Sequence, residues 1–431
     1  MKNAATRGQP RALAEIDSMI LGQAPHAVVL VGPGSIGKTT LALDLAAGLL
    51  CGDPDPRSRP CRVCRGCRQV ASGNHPDLHR LAPEGPGGQI RIGKAGDPEP
   101  GTVRHLIGEL ALLPMEGGAR VVIVEGAHRL NDDAQNALLK MLEEPPPGVI
   151  IILCADDEEC LLPTVRSRCA RVRMGAVGGR EIERWLGELG VADAPRAARL
   201  ARLADGRPGL ALAYARSIDA ERIRGEIARG ILDMLAEGRA ARLASVRELM
   251  KSAAALDAAL APPPADSVAA EEPVAPGPTR GRRGKTPKPA VTAADAAAAE
   301  GAPADDAAVP RLAAADRRSA AAALLEVWAS VGRDLAVAQA GGARQLRELE
   351  LLDELRAVAP SVSVGPLEAF LARLGDIAAQ LDENVNPELA LDVLALNWPR
   401  VESPAAAHSG AVSGSKAAGS GGAAAPAERR R

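Results

Sequence analysis

Short runs of β-branched residues alternate with segments of helical periodicity between positions 27 and 169. The clearest of these runs are Ala27–Val31, Val121–Glu125 and Ile150–Cys154. Short apolar strands that alternate with helices are typical of a parallel sheet covered by helices. We therefore predict an α/β domain in the first part of the chain.

A helix is predicted between the second and third of these strands. Asn131 is placed to cap its N-terminus, and the proline run that begins at Pro145 ends it. Leu138, Met141 and Leu142 follow the spacing of one helix face. We expect that face to pack on the sheet.

The strand pattern ends near Ala176, and amphipathic helical periodicity replaces it up to about residue 261 and again over 312–400. The second half is therefore predicted to be all-α. Two segments, 262–311 and 403–431, are rich in small and polar residues and almost without large apolar ones. We predict both to be disordered, because they cannot offset the entropy cost of ordering.

Aromatic residues are very few. The 431 residues include one Phe, one Tyr and three Trp, and the formal net charge is −2. Proteins that read single strands by stacking need aromatic platforms, and stand-alone DNA-binding domains are usually strongly basic. Composition therefore argues against both classes, and the length favours roughly two to four domains.

Targeting and membrane signals are not evident in the sequence. No signal-peptide pattern follows the N-terminal segment, and no run of about 18 uncharged apolar residues occurs. We therefore expect a soluble, cytoplasmic protein without a membrane partner. In such a reducing compartment, clustered cysteines indicate a metal site rather than disulfides.

A phosphate-binding loop is predicted at positions 32–39, between the strand Ala27–Val31 and a predicted helix Thr40–Leu49. The segment fits the pattern G-x-x-x-x-G-K-[ST]. In such loops backbone N–H groups surround phosphate oxygens, the lysine binds the β and γ phosphates, and the hydroxyl ligates Mg²⁺. The alternative is a glycine-rich turn without a ligand. The residues predicted to bind ATP with Mg²⁺ are Gly32, Gly34, Ser35, Ile36, Gly37, Lys38, Thr39 and Thr40.

The strand Val121–Glu125 offers one carboxylate to this site. Glu125 is predicted to assist the metal ion, but Gly126 follows it and provides no second carboxylate to polarise water. His128 is the nearest replacement, although a histidine at a strand end is more often a packing residue. The pattern thus favours nucleotide binding with little hydrolysis.

A metal site is predicted at Cys51, Cys61, Cys64 and Cys67, which form the pattern C-x9-C-x2-C-x2-C. Two-residue gaps place thiolates around one centre, and four thiolates suit a structural Zn²⁺ with no open coordination position. Four unrelated buried thiols are the alternative. Several arginines make this loop basic, which favours metal binding or a partner surface.

Together these motifs resemble the AAA+ subunits of the bacterial DNA polymerase III clamp loader. The resemblance covers about positions 10–215 and includes three further motifs, His75-Pro76-Asp77, Asn136–Pro145 and Ser167-Arg168-Cys169. Near the end of the chain, Asn384–Ala390 resembles the C-terminal helix of the delta-prime type. The combination of motifs is specific to that family.

This resemblance implies a domain organisation and a set of partners. It implies a RecA-like AAA+ domain at 1–175 with a zinc module at 51–67, a three-helix lid at 176–217, and a helical collar domain made of 218–261 and 312–400. In that family the collar joins gamma/tau and delta subunits in a hetero-pentamer, which loads the sliding clamp on primed DNA. The assembly serves a DNA-directed DNA polymerase, a nucleotidyltransferase.

The resemblance also implies residue roles. Arg168 matches the arginine that reaches in trans into the ATP site of a neighbouring subunit. Motor subunits carry a glutamate where this chain has Gly126, a sensor-one threonine in the region of Ala155-Asp156, and a lid arginine at the position of Gly209. These departures imply a non-motor subunit of delta-prime type, which binds ATP but does not hydrolyse it efficiently.

The residues alone leave the role of Arg168 open. It follows a predicted helical stretch, Glu158–Val165, from which its side chain could project outward, but an ordinary surface arginine is the simpler interpretation. Two other functions also stay open at this stage. One is a self-sufficient AAA+ motor of gamma/tau type, and the other is a zinc-dependent DNA-binding regulator supported by the basic cysteine loop.

Overall fold

The structure is a computed structural model, and its described residues are 1, 3–22, 24–83, 88–94, 96, 99–111, 114–116, 118–261, 314–382 and 385–401. The two segments predicted to be disordered, 262–311 and 403–431, lie outside these residues. Asn384, from the C-terminal motif, lies outside them too. Among the described residues, no helix combines the length and the apolar character that spanning a membrane requires.

A five-stranded, all-parallel sheet forms the centre of the N-terminal half, in the spatial order β2-β3-β4-β1-β5. This confirms the predicted parallel sheet. The first strand has the expected bounds, and the bounds of β3 and β4 differ from the expected runs by one residue at each end. The third strand ends before Glu125, which places that carboxylate in the loop beyond the sheet. The strands are β1 (Ala27–Val31), β2 (Leu78–Leu81), β3 (Arg120–Val124), β4 (Val149–Ala155) and β5 (Ala170–Arg173).

Helices cover both faces of the sheet, because alternate residues of each buried strand point in opposite directions. Val121 and Ile123 pack with the helices α1 to α3, whereas Val122 and Val124 pack with α4 to α6. The helices are α1 (Pro10–Leu21), α2 (Lys38–Leu49), α3 (Arg65–Ala71), α4 (Val103–Leu110), α5 (Asp132–Glu143) and α6 (Pro163–Arg166).

Two helices have bounds that differ from the predicted ones. Helix α2 begins at Lys38 rather than Thr40, because the end of the phosphate loop already has helical geometry. The predicted helical stretch Glu158–Val165 is wrong, since only Pro163–Arg166 is helical. A proline fixes φ at the first helical position and pushes the residue before it into an extended conformation, so the helix starts at Pro163.

The predicted cap of α5 is confirmed, because the Asn131 side chain accepts the Ala134 N–H at 2.9 Å.

Every regular element among the described residues of the second half is a helix, as predicted. Its helices share one continuous hydrophobic core that runs from Val177 to Trp398. Ser217 both ends α9 and caps α10 by accepting the Ala220 N–H, so packing continues across that junction. The helices are α7 (Gly179–Glu188), α8 (Ala194–Leu203), α9 (Pro208–Arg216), α10 (Ile218–Asp233), α11 (Arg239–Leu260), α12 (Ala314–Gln339), α13 (Leu352–Val358), α14 (Val364–Asp382) and α15 (Pro387–Asn397).

The few aromatic residues are concentrated in this helical core. Trp328, Phe370 and Trp398 pack against one another with ring centroids 4.6 to 5.7 Å apart. The indole N–H of Trp398 donates to the Ile231 carbonyl at 3.0 Å, which joins the C-terminal segment to α10.

A buried arginine fixes the same C-terminal segment. Arg242 is 1% exposed, and its guanidinium donates to the carbonyls of Ala395, Trp398 and Pro399 as well as to that of Leu235. Four carbonyls accept from the two terminal nitrogens of this cation, whereas its buried Nε has no hydrogen-bond partner. The arrangement ties the start of α11 to the end of α15.

We expect Arg242→Ala to lower the free energy of unfolding of the helical half by about 2–4 kcal/mol, because buried carbonyls lose their donor. Arg242→Met, which keeps much of the volume, should also destabilise. Arg247→Ala, at an exposed position of α11, is the control and should change stability by less than about 0.5 kcal/mol. Thermal melting followed by tryptophan fluorescence measures this, and equal melting of all three variants and wild type would contradict it.

Candidate functional site

The predicted phosphate-binding loop joins β1 to α2. Gly37 has φ 104°, a left-handed value that favours glycine and lets the loop turn into the helix. Ile36 packs in the core at 1% exposed, so only its backbone faces the loop interior. The loop therefore offers backbone N–H groups and the N-terminus of α2 to an anion.

The lysine of this loop is held by three oxygens. Lys38 Nζ donates to the carbonyls of Gly32 at 2.6 Å and Pro33 at 2.8 Å, and it pairs with Asp156 Oδ1 at 2.7 Å. The Lys38 side chain is 9% exposed, whereas that of Asp156 is 47% exposed. The cation expected to bind phosphates is thus neutralised by a carboxylate at the end of β4.

The hydroxyl and the carboxylate expected to hold a metal ion lie side by side. Thr39 Oγ1 is 3.4 Å from Glu125 Oε2, so the structure brings these two predicted residues together. The other oxygen of Glu125 accepts from Arg80 Nε at 2.9 Å and Nη2 at 2.6 Å. Sequence reasoning missed Arg80, because nothing in the sequence indicates that β2 lies beside β3.

His128 lies close to the phosphate-binding loop, and its ring forms a hydrogen bond with the backbone of Asp156. Its Nδ1 accepts the Asp156 N–H at 3.2 Å, and its side chain is 18% exposed. The histidine therefore helps to position the loop that follows β4. This is the packing interpretation given above for a histidine at a strand end.

The start of α9 rests directly on the phosphate-binding loop. Gly209 N donates to the Ser35 carbonyl at 2.9 Å, and a Cβ at position 209 would lie 2.8 Å from that oxygen. A larger residue therefore does not fit there without a shift of backbone. The nearby Arg207 points elsewhere, since it donates to the Ala204 carbonyl and pairs with Glu326 at 2.6 Å.

Four cysteines converge in the loop after α2. The Sγ atoms of Cys51, Cys61, Cys64 and Cys67 all lie within 4.8 Å of one another. Backbone N–H groups point at three of the sulfurs, with N···S distances of 3.4 to 3.5 Å. Four convergent sulfur donors stabilised by N–H groups fit a tetrahedral metal such as zinc.

The thiols of this cluster differ in their acidity. Burial acts to raise the pKa of Cys64, but hydrogen bonds from the backbone of Cys67 and Gly52 outweigh it and lower the pKa to about 6. Burial raises the pKa of the more enclosed Cys67. One sulfur of the cluster thus favours the thiolate form, which is the form that binds a metal ion.

A buried carboxylate connects the cysteine loop to α2. Asp44 is completely buried, and it accepts the N–H groups of Ala5 at 3.0 Å and Thr6 at 2.8 Å. It also pairs with Arg62 of the cysteine loop. The phosphate-loop helix thereby anchors both the N-terminal segment and the cysteine module.

The His75-Pro76-Asp77 motif binds the backbone of the segment that precedes β3. Asp77 accepts the N–H groups of Met115 at 2.7 Å and Glu116 at 3.0 Å, and Arg120 Nη2 lies 3.5 Å away. Burial opposes ionisation of Asp77, but these N–H donors and Arg120 hold the pKa of its carboxyl below the usual value. The motif thus fixes the chain before β3.

Arg168 follows α6 and is held at a partly exposed position. Its Nη1 donates to the Thr164 carbonyl at 2.8 Å, and its Nη2 pairs with Glu143 Oε1 at 2.7 Å. The side chains of Arg168 and Glu143 are 35% and 50% exposed. A surface pair of this kind is weak and can be exchanged for another anion.

Fold and sites together define an AAA+-like P-loop protein with a four-cysteine insertion. Residues 8–177 match the family described as DNA polymerase III, delta subunit. Over 231 residues the chain is 35% identical to DNA polymerase III subunit delta' of Pseudomonas aeruginosa, covering 53% of this chain and 62% of that protein. Over 192 residues it is 36% identical to subunit delta' of Escherichia coli, covering 44% of this chain and 55% of that protein.

Two further matches are another DNA polymerase III subunit and a solved structure. Subunit tau of Escherichia coli is 33% identical over 205 residues, which cover 46% of this chain and 30% of that protein. Among solved structures, a DNA polymerase III gamma subunit-related protein from Thermotoga maritima is 15% identical with a TM-score of 0.36, covering 90% of this chain and 99% of that one.

These matches confirm the predicted resemblance to DNA polymerase III subunits of the delta-prime type. The chain spans a little over half the length of the delta-prime relatives, from 54% to 62% in three of them.

We expect Asp77→Asn to lower the free energy of unfolding at pH 7 by about 1–3 kcal/mol, because two backbone N–H groups lose a charged, buried acceptor. The folded pKa lies below the unfolded value, so the stability that the carboxylate adds is complete above that value of about 3.9 and is lost as the pH falls through the folded pKa. The difference between variant and wild type should therefore narrow in acid.

Urea unfolding between neutral and acidic pH measures this difference. Asp233→Asn, an exposed carboxylate at the end of α10, is the matched control and should not change stability at either pH. A constant gap between Asp77→Asn and wild type at all pH values would contradict the linkage.

Proposed function

We propose that this chain is a non-motor subunit of the DNA polymerase III clamp loader, which binds ATP with Mg²⁺ but hydrolyses it very slowly. The observation that carries the proposal is a complete phosphate-binding loop beside a strand end that has one carboxylate, Glu125, followed by Gly126. The family match and the delta-prime relatives support the same conclusion.

In this proposal the loop residues bind the nucleotide. Backbone N–H groups of the loop surround the phosphates, Lys38 binds the β and γ phosphates, and Thr39 with Glu125 holds Mg²⁺. Binding requires Lys38 to leave Asp156, whereas Glu125 can offer Oε2 to the metal ion while its other oxygen stays paired with Arg80. Turnover stays low because position 126 offers no carboxylate to orient water, and because Gly209 contacts Ser35 where a motor subunit has a lid arginine.

We also propose that Cys51, Cys61, Cys64 and Cys67 hold a structural Zn²⁺. A closed tetrathiolate site contributes folding energy and leaves no position for a substrate. Asp44 and Arg62 then connect a rigid module to α2.

Arg168 is the proposed contribution of this chain to catalysis. The guanidinium acts in trans on the γ-phosphate of an adjacent motor subunit, where its fixed donors stabilise developing charge. It exchanges Glu143 for that phosphate, which costs little because the pair is largely exposed.

The remaining assignments follow the family. Helices α7 to α9 form the lid, and α10 to α15 form a collar domain that joins gamma/tau and delta subunits in a hetero-pentamer. The complex acts in the cytoplasm, where it loads the sliding clamp on primed DNA.

The first test separates binding from hydrolysis. Isolated wild-type protein should bind Mg-ATP and release almost no phosphate, while Lys38→Ala should lose binding because the phosphates lose their cation. Lys140→Ala, an exposed lysine on α5, is the control and should bind as wild type. Isothermal titration and phosphate release measure both properties, and steady turnover abolished by Lys38→Ala would overturn the proposal.

The second test concerns the metal. Elemental analysis of purified protein should find one zinc per chain, and Cys64→Ser should lose it and melt at a lower temperature. Cys160→Ser, an exposed cysteine outside the cluster, should retain the zinc. Protein without zinc, or with all four thiols alkylated under native conditions, would refute the assignment.

The third test concerns Arg168. In a reconstituted clamp loader, Arg168→Ala should assemble normally but lower clamp- and DNA-stimulated ATPase, and Arg168→Lys should rescue it only in part, because lysine lacks the fork geometry. Arginine fingers elsewhere are worth on the order of 10³–10⁵ in rate, but the loss here should be smaller because other interfaces keep their arginines.

Arg166→Ala, two residues earlier on α6, is the matched control and should keep the wild-type rate. Gel filtration verifies that each complex is complete. Unchanged rates in a complete Arg168→Ala complex would make Arg168 an ordinary surface residue.

A further inference from the structure

The carboxylate of Asp156 lies against the phosphate-binding loop. Its Oδ1 is 2.7 Å from Lys38 Nζ, and its Oδ2 is 3.4 Å from the place of a Cβ on Gly34. One carboxylate oxygen thus pairs with the lysine while the other lies near the glycine-rich part of the loop, the region in which such loops bind phosphate oxygens.

Asp156 is held in this position by its backbone. It directly follows β4, and its N–H donates to His128 Nδ1 at 3.2 Å. Its side chain is 47% exposed, so it can rotate into solvent without losing buried packing. The backbone is thus fixed while the carboxylate can leave the loop.

The lysine has a complete set of partners without any ligand. Besides Asp156, Lys38 Nζ donates to the carbonyls of Gly32 and Pro33. Three acceptors satisfy the three donors of an ammonium group. An incoming phosphate must therefore displace the Asp156 carboxylate, and it meets a like charge as it approaches.

We propose that Asp156 is an internal competitor for the nucleotide phosphates, which occupies Lys38 in the empty site and lowers the affinity for ATP. This inference rests on the proposed nucleotide site and concerns how that site is regulated. Removing the charge of Asp156 removes both the competing ion pair and the repulsion. Replacing it with a longer carboxylate retains the charge.

The experiment measures the affinity of the full chain for Mg-ATP and Mg-ADP by isothermal titration. The variants are Asp156→Asn, Asp156→Ala and Asp156→Glu, with Lys38→Ala as the variant that cannot bind. Glu159→Gln is the matched control, because it removes an exposed charge three residues away without touching the loop. Melting temperatures show that each variant is folded.

We expect Asp156→Asn and Asp156→Ala to bind Mg-ATP about three- to tenfold more tightly than wild type, since a charged hydrogen bond no longer competes. Asp156→Glu and Glu159→Gln should remain near the wild-type value. Binding by the Asn and Ala variants but not by wild type would support the inference and correct the proposal that wild type binds ATP.

Two results would overturn the inference. Equal or weaker binding by the Asn and Ala variants, with binding still lost in Lys38→Ala, would show that Asp156 does not compete, while the proposed nucleotide site would stand. No binding by any folded variant would refute both the competition and the nucleotide site.

Discussion

The burial of helix α2 is the constraint on which both candidate sites depend. Most of its residues are buried, including Lys38 in its first turn and Asp44 in its middle. A buried carboxylate is tolerated only when its oxygens are satisfied, and Asp44 meets that condition with two backbone N–H groups and Arg62. The helix thus begins at the phosphate loop, ties down the N-terminal segment, and leads directly into the cysteine cluster.

The same constraint explains why the phosphate site pairs its charges within the chain. Lys38 is almost enclosed, so its ammonium needs acceptors even when no nucleotide is present. Asp156 and two loop carbonyls provide them, and Arg80 does the same for Glu125. A site whose charges pair within the chain suits a subunit whose proposed task is to complete a neighbour's active site rather than to turn over ATP itself.

The sequence predicted the parts of this account that depend on local pattern. Three of the five strands, the loop between β1 and α2, the Asn131 cap and the convergence of four cysteines all follow from spacing that neighbouring residues determine. The ion pairs Lys38–Asp156 and Glu125–Arg80 could not be predicted, because they depend on strand order in the sheet. The contact of Gly209 with Ser35 could not be predicted either, because it joins segments that are far apart in the chain. The predicted stretch Glu158–Val165 began too early, because Pro163 sets the start of this helix.

The most direct test of the central claim compares two variants in one reconstituted clamp loader. The claim is that this subunit contributes an arginine to a neighbour's ATP site and no hydrolysis of its own. The measurement is clamp- and DNA-stimulated phosphate release by complete complexes that carry either Lys38→Ala or Arg168→Ala. The account predicts that Lys38→Ala keeps the wild-type rate while Arg168→Ala lowers it. A lower rate of phosphate release with Lys38→Ala and an unchanged rate with Arg168→Ala would contradict it.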